Sequence, residues 1–242
     1  MSKGLWPCAL LTVLLAGCQH DQVVRLDSTR PGRTTYVSRD VAPARTSRGT
    51  DLAVHSRRDW ATVAPISMRL DPMGKVTRIT VHHSGELNEM NSDNQVIEYL
   101  RNVQSSQSRP KASGGLGAGD LAYHFIIDRN GVTWEGRSLN YQGAHAGNSD
   151  ANRGNIGICV LGNFDVQYPN DRQKESLKTL LGRLMDRYSL SGSDIYTHRE
   201  IRVSYGLAST ECPGTRLQPF VNQMRRELKT RSTVTLARNS GR

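Results

Sequence analysis

The sequence predicts a single α/β domain, in which one mixed central β-sheet is flanked by helices. Three observations support this fold class. Strand-like segments alternate with amphipathic helical stripes between about residues 57 and 231. The segment Ile156–Leu161 is continuously apolar, as expected of a central strand that is buried on both faces. Two further strand-like segments flank an Asn-Gly turn, so part of the sheet is predicted to be a hairpin.

The first predicted strand is Val76–Val81, where apolar and polar residues alternate as they do in a half-buried strand. The hairpin follows, with strands at Tyr123–Ile127 and Val132–Glu135 on either side of the turn at Asn130 and Gly131. The apolar strand at Ile156–Leu161 is the last of this series.

Three helices are predicted from apolar residues that recur at helical spacing. A Ser92–Asp93 cap precedes the first of them. Their apolar positions are Val96, Ile97, Leu100 and Val103 in the first helix; Leu177, Leu180, Leu181, Leu184 and Tyr188 in the second; and Leu217, Phe220, Val221, Met224 and Leu228 in the third.

The first eighteen residues have the order of a secretory signal. Lys3 precedes an apolar run that ends in Ala16-Gly17-Cys18 and is too short to span a bilayer as a permanent helix. The end of this run resembles the lipobox of bacterial lipoproteins, in which Cys18 would be lipidated. The alternative is a cleaved signal that happens to contain a cysteine. Because Gln19 is not the Asp that commonly retains lipoproteins at the inner membrane, the resemblance implies an outer-membrane anchor facing the periplasm, in a cell with two membranes.

The formal net charge of +10 predicts an anionic partner. Much of this charge lies outside the predicted domain of residues 56–231. Residues 19–55 are polar, Arg-rich and short of large apolar side chains, which predicts a flexible basic tether. Residues 232–242 are predicted to form a disordered basic tail. Nucleic-acid binding draws only on the net charge and conflicts with an export signal, so we expect no nucleic-acid partner.

The cysteines leave two interpretations open. Removal of the signal takes away Cys8, and lipid would use Cys18, so that Cys159 and Cys212 remain in the domain. In an oxidising compartment these two could form one disulfide. Alternatively, Cys159 is a small apolar core residue and the thiol of Cys212 has another purpose.

A metal site is one such purpose. His82 and His83 leave a predicted strand together, and because side chains alternate across a strand, at most one of them is expected to be a ligand. With His198 and Cys212, one such histidine would give the N and S donors that zinc prefers, and a catalytic zinc keeps its fourth position for water. The spacing alone does not decide between a zinc site and structural histidines with an idle thiol.

Five segments carry a resemblance to a known family. "VTRITVHHS", "GDLAYHFIIDRNGVTWEGR", "GAHAGN", "NIGICVLGNF" and "THREI…ECPG" stand in the order found in the zinc N-acetylmuramoyl-L-alanine amidases related to phage T7 lysozyme and the peptidoglycan recognition proteins. "SRRDWATVAP", residues 56–65, resembles the Arg-x-x-Trp-Gly-Ala entry segment of the recognition proteins, although Ala61 and Thr62 depart from it. The match runs from about Arg57 to Leu217 and implies the fold of this family.

The resemblance implies one Zn²⁺ per chain, held by His82, His198 and Cys212. His83 is expected to face the core or the rim. For catalysis it implies Tyr123, which aligns with a tyrosine that hydrogen-bonds the zinc water or the oxyanion.

Thr210 aligns with a position whose hydroxyl either donates to the oxyanion or only stabilises the turn. Where some relatives carry a catalytic Glu in the strand, this sequence has Cys159, so no carboxylate base is evident there. Glu211 is near in sequence, but its side chain is expected to point away.

Substrate contacts are expected from the "GAHAGN" loop, through His145 and Asn148, and from Arg153, whose guanidinium suits a carboxylate of the peptide stem. The implied function is zinc-dependent hydrolysis of the amide between N-acetylmuramic acid and L-alanine in peptidoglycan, by a monomer. The alternative is a recognition module that binds the same muramyl peptides without cutting them. The usual sign of such a module is the loss of a zinc ligand, and all three ligands are present here.

Overall fold

The central sheet of the domain contains six strands. The structure is a computed structural model that describes residues 54–87 and 89–239, with side chains as far as residue 228. The strands are β1 (Val54–His55), β2 (Arg78–His83), β3 (Phe125–Ile127), β4 (Thr133–Glu135), β5 (Asn155–Val160) and β6 (Ile195–Thr197). The helices are α1 (Arg57–Trp60), α2 (Asp93–Ser108), α3 (Ser149–Asn152), α4 (Asp171–Tyr188), α5 (His198–Ser204) and α6 (Gln218–Asn239).

The sheet is mixed, as predicted, with the strand order β1-β4-β3-β5-β2-β6. Strands β3 and β4 form the predicted antiparallel hairpin, and the other neighbours are parallel. The hairpin turn is held by Asp128, whose Oδ1 atom accepts the backbone N–H groups of Asn130 and Val132 at 2.8 and 3.0 Å. Strand β5 lies between β3 and β2 with every residue buried, which confirms the prediction of a central strand.

Helices cover both faces of the sheet. On one face, α4 and α6 bury their apolar stripes against strand residues such as Val81 and Ile158. On the other face, α1 and α2 place Trp60, Val96 and Leu100 against β3, β4 and β5. Full burial of each such large side chain contributes about 1.5–3 kcal/mol to folding, so the two apolar clusters hold the three layers together.

Local sequence signals start the two long, fully described helices. The Ser92 side chain accepts the backbone N–H of Gln95 and caps α2, as predicted. Asn170 and Gln173 form a reciprocal capping box at the start of α4. These contacts satisfy backbone donors that have no partner inside the helix.

Both predicted domain boundaries differ from the observed elements. The sheet begins inside the predicted tether, because Val54 pairs with Thr133 and His55 pairs with Trp134, on whose ring the His55 ring stacks at 4.2 Å. A two-residue strand shows no periodicity, so the sequence pattern did not reveal it. Helix α6 continues to Asn239 through most of the predicted disordered tail, and no Pro or Gly interrupts it between Pro219 and its end.

The predicted signal with Cys18, and the tether up to residue 53, lie outside the described residues. In the part of the chain that is described, none of the helices combines the length and the apolarity needed to cross a membrane.

Candidate metal centre

Three chain segments bring His82, His198 and Cys212 together. His82 lies near the carboxyl end of β2, and His198 directly follows β6 as the first residue of α5. Because β2 and β6 are parallel neighbours, with Val81 opposite Thr197, these ends of the two strands are adjacent. Cys212 reaches the same place from the loop before α6. One ligand atom from each residue lies within 4.8 Å of the others.

The donor set fits a zinc ion. Nδ1 of His82 lies 3.7 Å from Sγ of Cys212. Zn–N and Zn–S bonds of about 2.0 and 2.3 Å in a tetrahedron place an N and an S donor roughly 3.5 Å apart. Nε2 of His198 is buried and has no hydrogen-bond partner among the described residues. Among the described residues, three side chains converge in this way, and three protein ligands is the number that a catalytic zinc site uses.

Burial keeps both ligand imidazoles neutral at pH 7. It lowers the pKa of His198 to about 4, and the positive charge of Arg202 acts in the same direction. Burial also lowers the pKa of His82 well below its usual range, with further lowering by His145, His198 and His83. A neutral imidazole is the form that binds a metal, so both histidines have the protonation state that a ligand needs.

Cys212 is a free, buried thiol. Burial raises its pKa to about 12, against the opposing effect of the His83 backbone N–H, which donates to Sγ at 3.3 Å. A thiolate here therefore needs a cation, which zinc would supply. Cys159 is also free, so the structure does not contain the Cys159–Cys212 disulfide that the cysteine count allowed.

Arg199 holds the loop that carries the ligand thiol, and sequence reasoning did not identify it. Its backbone N–H donates to Cys212 O at 3.0 Å, and its Nε and Nη2 atoms donate to the carbonyls of Thr210 and Glu211 at 3.0 and 2.9 Å. The only signal was its place next to His198. Glu211 points outward as expected, exposed and 3.4 Å from Arg199 Nη2.

Thr210 stabilises the turn, which is one of its two expected roles. Its Oγ1 atom accepts the backbone N–H of Cys212 at 3.4 Å. The hydroxyl hydrogen takes no part in this contact, so Thr210 still has a donor for a second partner.

Tyr123 lies beside the ligands. Its ring centroid is 5.1 Å from that of His82, and the residue is half-buried just before β3. Burial raises the pKa of its hydroxyl well above the usual value, and the nearby Cys159 and Cys212 thiols add to this effect. The hydroxyl therefore stays protonated at neutral pH and can donate a hydrogen bond.

Cys159 stands opposite His82 in the β2–β5 register and is 2% exposed within the apolar cluster of α1 and α2. Position 159 therefore provides a thiol beside the ligands and no carboxylate. His83 faces the other side of the sheet, where its Nδ1 atom accepts the backbone N–H of Phe164 at 3.3 Å.

His145 does not occupy the position expected of a substrate-contacting loop residue. It is only 5% exposed, and its Nδ1 atom lies 3.0 Å from Nε2 of His82. Its Nε2 atom lies 3.2 Å from the backbone oxygen of Asn155. The loop folds inward, so the ring lies against His82.

The other two residues expected to contact substrate bind neighbouring groups in and around α3. Asn148 caps the short helix α3, where its Oδ1 atom accepts the backbone N–H of Ala151 at 2.8 Å. Arg153 is exposed and pairs with Asp150 at 3.5 Å. These partners are all close in sequence, so the substrate contacts expected of Asn148 and Arg153 stay predictions.

Comparisons with known proteins agree with this fold. The sequence family described as N-acetylmuramoyl-L-alanine amidase matches residues 72–215. Peptidoglycan-recognition protein SC2 of Drosophila simulans is 34% identical over 167 residues, which cover 69% of this chain and 83% of that protein.

Two solved structures resemble the chain. The crystal structure of Drosophila peptidoglycan recognition protein SD has a TM-score of 0.57 at 27% identity and covers 69% of this chain and 90% of its own. The N-acetylmuramoyl-L-alanine amidase LysC from Clostridium intestinale URNW shares the fold, with a TM-score of 0.51 at 23% identity over 71% of this chain and 96% of its own. Because the matched family spans more than half of the sequence, the chain belongs to the N-acetylmuramoyl-L-alanine amidase family.

Proposed function

We propose that the protein is a zinc-dependent N-acetylmuramoyl-L-alanine amidase that hydrolyses the amide between N-acetylmuramic acid and L-alanine in peptidoglycan. The observation that carries this proposal is the convergence of His82, His198 and Cys212, whose ligand atoms lie within 4.8 Å of one another. Two neutral imidazoles and a thiol that needs a cation are the ligands expected of a catalytic zinc site. The family match supports the substrate class.

Hydrolysis of this amide adds a water oxygen to the lactyl carbonyl carbon and delivers a proton to the departing nitrogen of L-alanine. When bound, zinc supplies Lewis-acid polarisation of the carbonyl and lowers the pKa of water to about 7. The protonated hydroxyl of Tyr123 would donate to the carbonyl oxygen as negative charge develops on it. The hydroxyl hydrogen of Thr210, whose oxygen accepts the backbone N–H of Cys212, would be a second donor to this oxygen.

Delivery of a proton to the leaving nitrogen of L-alanine does not require a carboxylate. Cys159 occupies the strand position where some relatives carry Glu. Burial raises the pKa of its thiol, so the thiol stays protonated at neutral pH and provides no thiolate to act as a base. The attacking water supplies the proton that the leaving nitrogen gains. We assign its passage to Tyr123, which would give its own proton to the nitrogen and take one from the water, or to a second water that Tyr123 orients. No covalent enzyme intermediate is involved.

A non-catalytic module that binds muramyl peptides is the second candidate. It is favoured by the similarity to a peptidoglycan-recognition protein and by the missing carboxylate at position 159. The complete ligand set favours the enzyme, because a binder has no need to retain three metal ligands.

We also propose that a lipid on Cys18 anchors the domain at the outer membrane, facing the periplasm. The support is the order of residues in the first eighteen positions. Mass spectrometry of the mature amino terminus tests the anchor: an acylated Cys18 supports it, and cleavage that leaves an unmodified Cys18 rejects it.

The activity is tested by incubating the full chain with purified peptidoglycan, with and without a zinc chelator. Release of stem peptides that carry a free N-terminal L-alanine, loss of release with chelator, and recovery on adding Zn²⁺ are expected. Sedimentation with peptidoglycan without any release would favour the binding module.

A further inference from the structure

His145 occupies a position that the proposed hydrolysis does not use. Its Nδ1 atom lies 3.0 Å from Nε2 of His82, and its Nε2 atom lies 3.2 Å from the backbone oxygen of Asn155. The two imidazole rings meet edge to face, at 79°. His82 is fully buried and His145 is 5% exposed, so solvent does not compete for these contacts.

The carbonyl of Asn155 determines where the hydrogens lie. A carbonyl oxygen only accepts, so Nε2 of His145 must carry a hydrogen and donate it. A neutral imidazole has one such hydrogen, which leaves Nδ1 of His145 as an acceptor. His82 must then donate from its own Nε2 atom. The Nδ1 atom of His82 is therefore left with a free lone pair, and this is the atom that lies 3.7 Å from Sγ of Cys212.

The fold fixes both the backbone and the ring of His145. Asn152 Oδ1 accepts the backbone N–H groups of His145 and Ala146 at 3.0 and 2.9 Å, which sets the course of the loop. Gly143 and Gly157 provide the space for the ring, because a Cβ atom at either position would collide with the His145 imidazole. Few other placements of the ring are compatible with these contacts.

We propose that His145 is a positioning residue that fixes the tautomer and orientation of His82, so that the Nδ1 lone pair of His82 faces the metal. This inference rests on the proposed function only in naming zinc as the occupant. It replaces the expected substrate contact, because a ring that is 5% exposed and bonded at both nitrogens offers nothing to a muramyl peptide.

A matched pair of variants separates the two contacts of His145. In His145→Asn the amide oxygen can take the place of Nδ1 and still accept from His82, but the side chain is too short to reach Asn155. In His145→Gln the amide reaches the place of Nε2 and can donate to Asn155, but no acceptor remains where Nδ1 stood. The two variants are similar in polarity, so differences between them report on the contact with His82.

The first measurement uses the metal-free full chain. Two-bond ¹⁵N–¹H correlation spectra show which ring nitrogen of His82 carries the hydrogen, and a His82→Asn variant assigns the signals. We expect the hydrogen on Nε2 in the wild type and in His145→Asn, and a mixture of tautomers in His145→Gln. A wild-type His82 that carries its hydrogen on Nδ1 would overturn the proposal without any variant.

The second measurement is zinc affinity, by competition with a chelator of known affinity. Loss of an outer-shell partner of a histidine ligand weakens metal binding by about 10–100-fold. We expect this loss in His145→Gln and a change of only about threefold in His145→Asn, where the partner is kept. Thermal unfolding of the metal-free variants shows whether each is folded. Equal affinities and tautomers in the wild type and His145→Gln, or equal losses in both variants with an unchanged tautomer, would refute the role of His145.

These outcomes are distinguishable from a failure of the proposed function. If the wild type binds no zinc, the amidase proposal fails, while the spectra of the metal-free protein still decide the tautomer of His82. If zinc binds and peptidoglycan is not cleaved, the tautomer spectra and the zinc affinity still test the positioning role of His145, because neither depends on cleavage.

Discussion

Nε2 of His82 lies 3.0 Å from Nδ1 of His145, and the opposite nitrogen of His82 faces the thiol of Cys212 at 3.7 Å. The backbone carbonyl of Asn155 places the hydrogen of His145 on Nε2, and His145 in turn places the hydrogen of His82 on Nε2. The Nδ1 lone pair of His82 is then free for a metal. The three ligands are therefore only part of the site. The loop at residues 143–148 and the glycine in the middle of β5 belong to it as well.

The two free thiols provide a direct test of the third ligand. Cys212→Ser should lower bound zinc from one per chain to almost none, because a hydroxyl is a poor zinc ligand. Amidase activity should fall by more than ~100-fold, which is the largest loss typical when only a hydrogen-bond partner of a ligand is removed. Cys159→Ala is the matched control. It should keep zinc and activity and lower the free energy of unfolding by about 1 kcal/mol. Metal analysis and initial rates check both variants; loss of zinc in Cys159→Ala instead would mean that the wrong thiol has been assigned.

Tyr123→Phe should lower kcat by about 10²–10³-fold, as is typical when one oxyanion donor is removed. KM and zinc content should stay close to wild type, because the hydroxyl is not a metal ligand. Tyr188→Phe, on the opposite face of the sheet, is the control and should leave kcat unchanged. Steady-state kinetics on peptidoglycan fragments make the comparison. A fall in zinc content that parallels the fall in kcat would show that Tyr123 supports the metal and not the reaction.

The metal-free protein should lose stability as the pH falls from about 6.5 toward 4. Burial lowers the pKa of His124 and of His198 to about 4 from the usual 6.5, so in this window the unfolded chain binds protons that the folded chain does not. The free energy of unfolding is therefore greatest above pH 6.5. Denaturant titrations in the presence of chelator measure this slope.

His124→Asn provides the control for this pH dependence. The amide can still accept the backbone N–H of Gly157, which the wild-type Nδ1 atom accepts at 2.9 Å. The variant should reduce the slope by up to one proton, about 1.36 kcal/mol per pH unit. Stability that does not change between pH 7 and 5 would contradict the neutral, buried state of these histidines.

Gly157→Ala should weaken zinc binding without touching a ligand. The added methyl group would collide with the His145 ring from within β5, where both the strand and the ring are buried. We expect a loss of zinc affinity of about 10-fold or more. Gly182→Ala in α4 is the matched control, because its Cβ atom meets nothing within 4 Å and alanine favours the helix by about 1 kcal/mol. Equal zinc affinity in both variants would argue against the constraint on His145.

The sequence predicted the parts of the fold that have a local pattern. The alternating residues of β2, the Asn-Gly hairpin and the apolar β5 each carry their own periodicity, and all three are present. Strand β1 has only two residues and forms by pairing with β4, where His55 lies opposite Trp134. Its own sequence therefore has no local pattern that predicts a strand. Helix α6 continues past the predicted boundary because nothing in its sequence ends it.

The same distinction applies to the site. The resemblance placed His82, His198 and Cys212 together, and their geometry agrees. The position of His145 was not predictable, because "GAHAGN" reads as an exposed loop and only the missing side chain at Gly157 lets the ring enter. Arg199 was missed for a similar reason, since three of its contacts are with backbone groups eleven or more residues along the chain.

The most direct test of the amidase proposal uses a defined muramyl peptide in water labelled with oxygen-18. The full chain with zinc should release a peptide with a free N-terminal L-alanine and leave one oxygen-18 atom in the lactyl carboxylate of N-acetylmuramic acid. Mass spectrometry locates the label, and Cys212→Ser should give no product. Binding of the muramyl peptide by a zinc-loaded wild type, with the amide intact after prolonged incubation, would contradict the proposal and identify the protein as a recognition module.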